Sequence, residues 1–387
     1  MTEATVGLSR REVRAAAAGV AVTFGLNGVA VATWFARVPA ARDALGLSAG
    51  SLGLVLLSMS LGAFLAMLSA GEVTHRLGAR RTVSVSAVVV ASGLALAGVG
   101  IGAFPSVALT AAGIFVLGYG SGLCDVAMNV EAASVERALG KTVMPRFHAM
   151  WSLGTVAAAG LASLVAWALL PVTAHLAGVA VVVAVGTLVA ARTYRFEGEA
   201  SHGRSSGVLA AWREPRTLLI GLLVLVLAFI DGHSFDAAAG AVVFGVFVAT
   251  MTFGRIVGTL ALDRWGRVPV LLVTMLVAAG GVTLAVFASH PVVAVAGVAV
   301  WGLGTALGFP VGMSAAADDP AHAAARVSVV AVIGYTAFLA GPPLVGLLGD
   351  RVGVLRALLV VPLLLLPALA LVPALRRPAA GDVKIVR

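Results

Sequence analysis

Gly71-Glu72-Val73-Thr74-His75-Arg76-Leu77-Gly78-Ala79-Arg80-Arg81 recurs in outline as Thr259-Leu260-Ala261-Leu262-Asp263-Arg264-Trp265-Gly266-Arg267, about 188 residues later. Each stretch closes the second long apolar run of its half of the chain, so the charged, glycine-bearing loop marks an internal duplication. A second match agrees with it. Val116-Leu117-Gly118-Tyr119-Gly120 returns as Val300-Trp301-Gly302-Leu303-Gly304 at an offset of about 184, and Trp151 to Gly154 falls opposite Tyr335 to Phe338 at that same offset. Six apolar runs separate equivalent points, and an even number keeps the two halves in one orientation. The expected fold is an all-α membrane protein of twelve transmembrane helices, arranged as two parallel-repeat six-helix bundles.

Composition carries the same message. Of 387 residues, 60% are hydrophobic and 11% charged, and the mean hydropathy is +1.06; a soluble domain carries about 25% charged residues. A span takes about 20 apolar residues, so the chain has room for about twelve with short loops. The predicted spans are 15–36, 49–71, 82–103, 106–134, 147–170 and 174–192, then 216–232, 237–260, 268–289, 292–316, 327–348 and 355–375. The domains follow: an N-terminal bundle over 1–192, a cytoplasmic linker over 193–215 and a C-terminal bundle over 216–387.

The net charge of +9 is a matter of membrane sidedness, not of nucleic acid. With the N-terminus in the cytoplasm, Arg10, Arg76, Arg80, Arg81, Arg137, Arg146, Arg264, Arg267, Arg326 and most other basic residues lie inside. Only Arg37, Arg42, Arg351 and Arg356 lie outside, and Arg255 falls within a span. The positive-inside rule thus places both termini in the cytoplasm of a multi-pass protein of the inner membrane. Met1 to Arg14 leads into a retained first helix rather than a signal peptide. The single cysteine, Cys124, excludes an internal disulfide and a thiolate metal cluster. No phosphate-cradling loop or metal-spaced histidine cluster occurs, so no cofactor is expected and energy must come from a gradient.

The chemistry concentrates in the fourth span, Gly118 to Glu131. An Asp at the centre of a membrane helix costs about 2.5–3.5 kcal/mol on insertion scales, so Asp125 needs a partner or a wet cavity. At 100° per residue, Gly118, Ser121, Asp125, Met128, Asn129 and Glu136 share one face, while Glu131 points away. Asp125 then reads as a protonatable carboxylate with Asn129, one turn on, as a hydrogen-bonding ligand. The competing reading is polar contact between helices, which is open for Asn129 and for Asn27 of the first span. His148 and Trp151 open the fifth span and are candidates to line a solute site, although Trp also favours membrane interfaces. Asp231, beside Gly232, His233 and Ser234, reads as a helix end near water. Phe309 stands where the repeat places the counterpart of Asp125, so one half offers a carboxylate and the other an apolar wall. Glu131, Glu136, Arg137, Arg76 and Arg255 read as cytoplasmic charge contacts or snorkelling side chains, and Arg37 and Arg42 as outer gate charges or solvated ones.

The loop Gly71 to Arg81 resembles the signature of the major facilitator superfamily, with His75 at the usual acidic position, and the second copy keeps Asp263. The fourth span, Gly120-x-Gly122-x-x-Asp125-x-Ala127-x-Asn129, is similar to the fucose-permease-like branch. So are Trp34-x-x-Arg37-x-Pro39-x-x-Arg42-x-x-Leu45-Gly46-Leu47, His148-x-x-Trp151-Ser152-x-Gly154 and Phe309-Pro310. The resemblance implies a central cavity faced by Asp125 and Asn129, with Asn27, His148, Trp151 and Phe309 as further solute contacts. It also implies a gating set of Arg76, Arg80, Arg81, Asp263, Arg264, Glu136 and Arg137 that clamps the cytoplasmic helix ends. The implied function is transport of a small polar solute, a sugar or polyol, in symport with protons. A proton-coupled efflux antiporter is the alternative; exporters of this superfamily usually carry a Gly-Pro motif in the fifth span, whereas Trp151 to Gly160 has no Pro. A non-transporting sensor on the same fold is a third reading, and no nucleophile and base fall at a spacing that points to an enzyme. The partners are solute, protons and lipid; a monomer is compatible with this reading, and the sequence sets no oligomeric state.

Overall fold

The structure, a computed structural model, describes residues 8–196, 208–231 and 239–376. By its contacts the chain forms two compact units: Met1–Gly140 with Met150–Gly207, and Lys141–Ala149 with Val208–Arg387. The brief excursion at Lys141–Ala149 puts the first turns of one helix into the second unit.

Unit 1 is built from six long helices. α1 (Arg10–Ala44) starts on a reciprocal cap: Ser9 Oγ accepts the N–H of Glu12 at 3.2 Å, and Glu12 Oε2 accepts the N–H of Ser9 at 2.9 Å. It outruns the predicted 15–36 at both ends and carries Pro39 within it before Gly46, at φ +59°, turns the chain. α2 (Ala49–Leu77) and α3 (Ala79–Gly98) follow, and α3 relaxes into a π-turn at Val99–Ala103. α4 (Val107–Leu139) is capped by Ser106 and closed by left-handed Gly140, and α5 (Met144–Trp167) and α6 (Val172–Ala191) complete the set.

In the second unit a short α7 (Val208–Ala211) precedes α8 (Pro215–Asp231), α9 (Ala239–Trp265) and α10 (Arg267–Phe287). Asp231 is the last described residue of α8; residues 232–238, where the sequence suggested a helix end near water, lie outside the described residues. The tenth span is broken into α11 (Pro291–Thr305) and α12 (Gly308–Ala316). α13 (Ala323–Val352) is the eleventh. The twelfth, predicted as one run over 355–375, is α14 (Val354–Ala357), α15 (Val360–Ala368) and a 3₁₀ turn at Leu369–Leu375. Proline accounts for both interruptions. It has no N–H and its ring crowds the carbonyl four residues back, which is Ala306 for Pro310 and Leu358 for Pro362, and the helix gives way at those two carbonyls.

Among the described residues, nine helices are long and apolar enough to cross a membrane, with shorter apolar helices at Pro215–Val224 and Val360–Leu375. Leu54, Leu57, Leu61, Leu65 and Leu68 stand exposed at helical spacing along α2, as do Val181, Val185 and Val189 along α6. Such stripes are what lipid tails cover. Inside unit 1, Trp34, Leu94, Ile101, Ile114, Leu117 and Leu176 form the packed core.

Apolar burial gives little net drive between helices in lipid, so close main-chain approach matters more. Gly93 lies against the backbone of Gly113 and Leu117, and Gly113 against that of Gly93 and Ala97. Gly281 lies against Gly297 and Trp301, and Gly297 against Gly281 and Ala285. These two sets of four are related residue by residue by offsets of about 188 and about 184, the spacings read from the sequence. The pairs Gly118–Met59 and Gly302–Phe247 obey the same offsets, as do Gly120–Val90 and Gly304–Ala278. The loop turns match as well: Gly78 and Gly266 adopt φ of +78° and +80°, a region that favours glycine. The duplication is therefore one of packing as well as sequence.

Candidate functional site

α4 is the centre of unit 1 because its glycines let α2 and α3 come within backbone contact on either side. From Gly120 to Glu136 every residue except Val130 is buried, Glu131 included. The sequence reading pointed Glu131 away from the face that carries Asp125, and that other side of the helix is buried as well. Asp125 is 6% exposed. Its Oδ1 accepts from Asn129 Nδ2 at 3.3 Å, and the same Nδ2 donates to the Asp125 carbonyl at 2.9 Å. Oδ2 is buried with no hydrogen-bond partner among the described residues. A carboxylate so held is fixed through one oxygen and bare at the other, and a buried polar atom left bare costs about 1–3 kcal/mol, more when charged. The arrangement suits a proton on Oδ2, or a donor brought by a ligand.

One turn earlier on α4, Ser121 Oγ donates to Asn27 Oδ1 of α1 at 3.0 Å, which leaves the Asn27 N–H groups as donors. α1 in turn meets α5 backbone to backbone, Gly28 against the Trp151 carbonyl and Gly154 against the Gly25 carbonyl. Asn27, Ser121, Asp125, Asn129 and half-buried Trp151 thus share one region of unit 1.

His148 and Phe309 belong to unit 2. Their rings meet edge to face at 5.5 Å, and Phe309 meets Tyr335 at 6.5 Å. Tyr335 stood in the sequence only as the repeat partner of Trp151, and nothing local singled it out as a site residue. Arg255 lies beside this cluster. Its Nε donates to the Ala306 carbonyl at 3.3 Å and its Nη1 to the His148 carbonyl at 3.4 Å, partners that the sequence reading did not name.

The remaining charged residues divide between pairs and clamps. Arg76 bonds Glu72 at 2.6 Å along the exposed end of α2, and Arg264 stacks on Trp265 at 5.7 Å. Arg137 donates to Ser134 at 2.8 Å, and Glu136 is buried. Arg80 and Arg81 open α3, the first half-buried and the second exposed. Asp263 accepts the N–H of Thr142 at 2.7 Å, just ahead of α5. Glu131 Oε1 accepts the N–H of Arg195 at 2.9 Å and that of Phe196 at 3.4 Å, so it clamps the chain leaving α6. Arg37, read as a gate charge or a solvated one, is not exposed and has no ion pair among the described residues. It is buried and donates through Nε to His175 Nδ1 at 2.9 Å. Asp318 bridges Arg216 at 2.7 Å and Arg267 at 2.8 Å, while Arg326 reaches Glu214 at 2.6 Å and Asp319 at 3.2 Å.

Duplicated membrane-crossing helices around a buried, half-satisfied carboxylate mark a multi-pass membrane protein. The chain belongs to the major facilitator superfamily. It is 30% identical over 373 residues to an uncharacterised MFS-type transporter of Yersinia pestis, covering 92% of this chain and 94% of the relative. An uncharacterised transporter of Sinorhizobium fredii is 29% identical over 373 residues, covering 93% and 98%. Among solved structures, FucP in the outward conformation superposes with a TM-score of 0.78 at 15% identity, over 93% of this chain and 98% of that one. The proton:xylose symporter XylE gives 0.71 at 12% identity over 94% and 95%, and the human organic anion transporter MFSD10 gives 0.71 at 16% over 93% and 99%. These likenesses establish the fold. No family profile matches the chain.

Proposed function

We propose that the protein carries a small polar solute, of the sugar or polyol class, across the cytoplasmic membrane by alternating access, in symport with protons. The observation that carries the reading is the Asp125 carboxylate. Asn129 fixes one oxygen, the other lacks a partner among the described residues inside a buried helix, and an unpaired charge there is costly. Protonation removes that cost and gives the carboxyl an O–H that can donate to a solute hydroxyl, so the protonated site binds solute better and the two are bound together. This is the thermodynamic requirement for coupling: each ligand changes the affinity for the other by the same factor.

The neighbouring groups fit the solute class. Within unit 1, Asn27 and Asn129 supply amide dipoles for hydroxyls and Trp151 a face for the C–H side of a sugar ring; unit 2 by itself offers such faces in its His148–Phe309–Tyr335 rings. FucP is described as a fucose:proton symporter of Escherichia coli and XylE as a proton:xylose symporter, which supports this reading over efflux. Arg76, Arg80, Arg81, Asp263, Arg264, Glu136 and Arg137 then act at cytoplasmic helix ends that release and re-form during the cycle, with both termini and the 193–215 linker on that side.

In proteoliposomes with an inward proton gradient, a panel of labelled sugars and polyols should include one taken up against its gradient. Asp125→Asn should lose uphill uptake by at least about tenfold while keeping exchange of that solute at equilibrium. Uphill uptake at the wild-type rate by Asp125→Asn would overturn the proton role.

A further inference from the structure

The break in the tenth span has a chemical consequence. Pro310 supplies no N–H to the Ala306 carbonyl, and a carbonyl released inside a membrane span has no water to turn to. Arg255, 6% exposed on α9, donates to that carbonyl through Nε and to the His148 carbonyl through Nη1. One guanidinium therefore joins three elements: α9, the broken tenth span and the first turns of α5. The two carbonyls it holds belong to the segments that carry the ring pair, His148 itself and Phe309, three residues beyond Ala306.

The repeat provides an internal control. The first-half residue at the place of Pro310 is Val126, at an offset of about 184, and the residue at the place of Arg255 is Met67, at about 188. α4 runs unbroken through Val126. Where the proline is missing the arginine is missing too, as expected if the arginine is there for the carbonyl that the proline releases.

We infer that Arg255 is a positioning residue: it caps the Pro310 break, ties it to the start of α5, and thereby sets the spacing of His148 and Phe309, the solute-contacting rings of unit 2. A planar, forked guanidinium holds two carbonyls in a fixed geometry, which the compact ammonium of lysine on its flexible stem does not. The capping stands on the structure alone, whereas the consequence for solute rests on the function proposed above.

A double-mutant cycle separates the two. Arg255→Met should lower the thermal midpoint of the purified protein in the natural background. It should lower it much less in a Pro310→Ala background, where the substituted residue restores an N–H for the Ala306 carbonyl. Additive losses would overturn the capping. If Arg255→Met alone fails to accumulate, recovery of folded protein in the double variant supports the inference, and failure of both overturns it. With the transported solute, Arg255→Lys should raise KM about fivefold or more with Vmax within about twofold. An unchanged KM beside a clear coupling in midpoint would overturn the positioning of His148 and Phe309 while leaving the capping intact. The Asp125→Asn phenotype is independent of all these readouts, so failure of the transport reading shows there and not here.

Discussion

The α3–α4 pair and the α10–α11 pair are held by equivalent glycines making equivalent contacts, and they part company within about three turns along the same helix. Beyond Gly118 and Gly120 the first copy places Asp125, Val126 and Asn129 in an unbroken helix, and its neighbours supply Asn27 and Ser121. Beyond Gly302 and Gly304 the second copy places Phe309 and Pro310, breaks, and recruits Arg255 to the break. Duplication has preserved what sets the distance between helices and released the next turns along them, where the proposed solute contacts lie. Main-chain approach tolerates no side chain, while the next turns of the helix are free to carry a carboxylate in one copy and a kink in the other.

The shared part of that comparison is the most easily broken. Gly113→Leu and Gly297→Leu should each cost more than about 3 kcal/mol, because the added side chain meets backbone rather than a movable group. Both should abolish the monodisperse peak in detergent chromatography to a similar degree, and a tolerated Leu at either position would break the equivalence of the two pairs.

Arg37 and His175 test a feature of the first unit alone. Arg37 Nε–H must donate, so His175 Nδ1 must accept, and a hydrocarbon side chain removes the acceptor. His175→Leu should cost about 1–3 kcal/mol, and His175→Gln, which restores an acceptor, less than half of that, read as thermal midpoints. Equal losses would show that the bond does not hold the helices.

The smallest effect belongs to the end of the tenth span, where Asp318 and Asp319 stand in place of Ser134 and Val135 of the first half. Burial alone would raise the Asp319 carboxyl, but the hydrogen bond from His322, the charges of His322 and Arg326 and the N–H of Ala321 outweigh it and hold it below the usual carboxylate range. A depressed folded value means the stabilisation is fully present above the unfolded value of about 3.9 and is lost as pH falls through the folded one. The thermal midpoint of the natural protein should therefore fall more steeply than that of Asp319→Asn as the pH drops from about 5 toward 3. Parallel curves would remove Asp319 from the account.

Much of this was legible in the chain. Two sequence offsets foretold the paired glycine contacts, because the residues that set helix spacing are glycines and glycines are visible. The break at Ala306 was not anticipated, since the tenth span reads as one apolar run over 292–316, although Pro310 within it removes the N–H that the Ala306 carbonyl would accept. The partner was not legible either. Arg255 stands 51 residues from Ala306 and 107 from His148, and Arg37 stands 138 from His175. Hydrogen bonds across such separations are chosen by packing, and no local pattern encodes them. The Asp125–Asn129 bond was legible for the opposite reason: residues four apart on a helix meet whatever else the fold does.

The central claim is that one carboxylate, Asp125, binds the proton and the solute together. Solute-induced proton entry into lightly buffered proteoliposomes, followed with a trapped pH dye, tests it most directly. The natural protein should acidify the lumen when the transported solute is added outside, and Asp125→Asn should give no acidification while still exchanging labelled solute. Solute-driven acidification of normal size in Asp125→Asn would contradict the account.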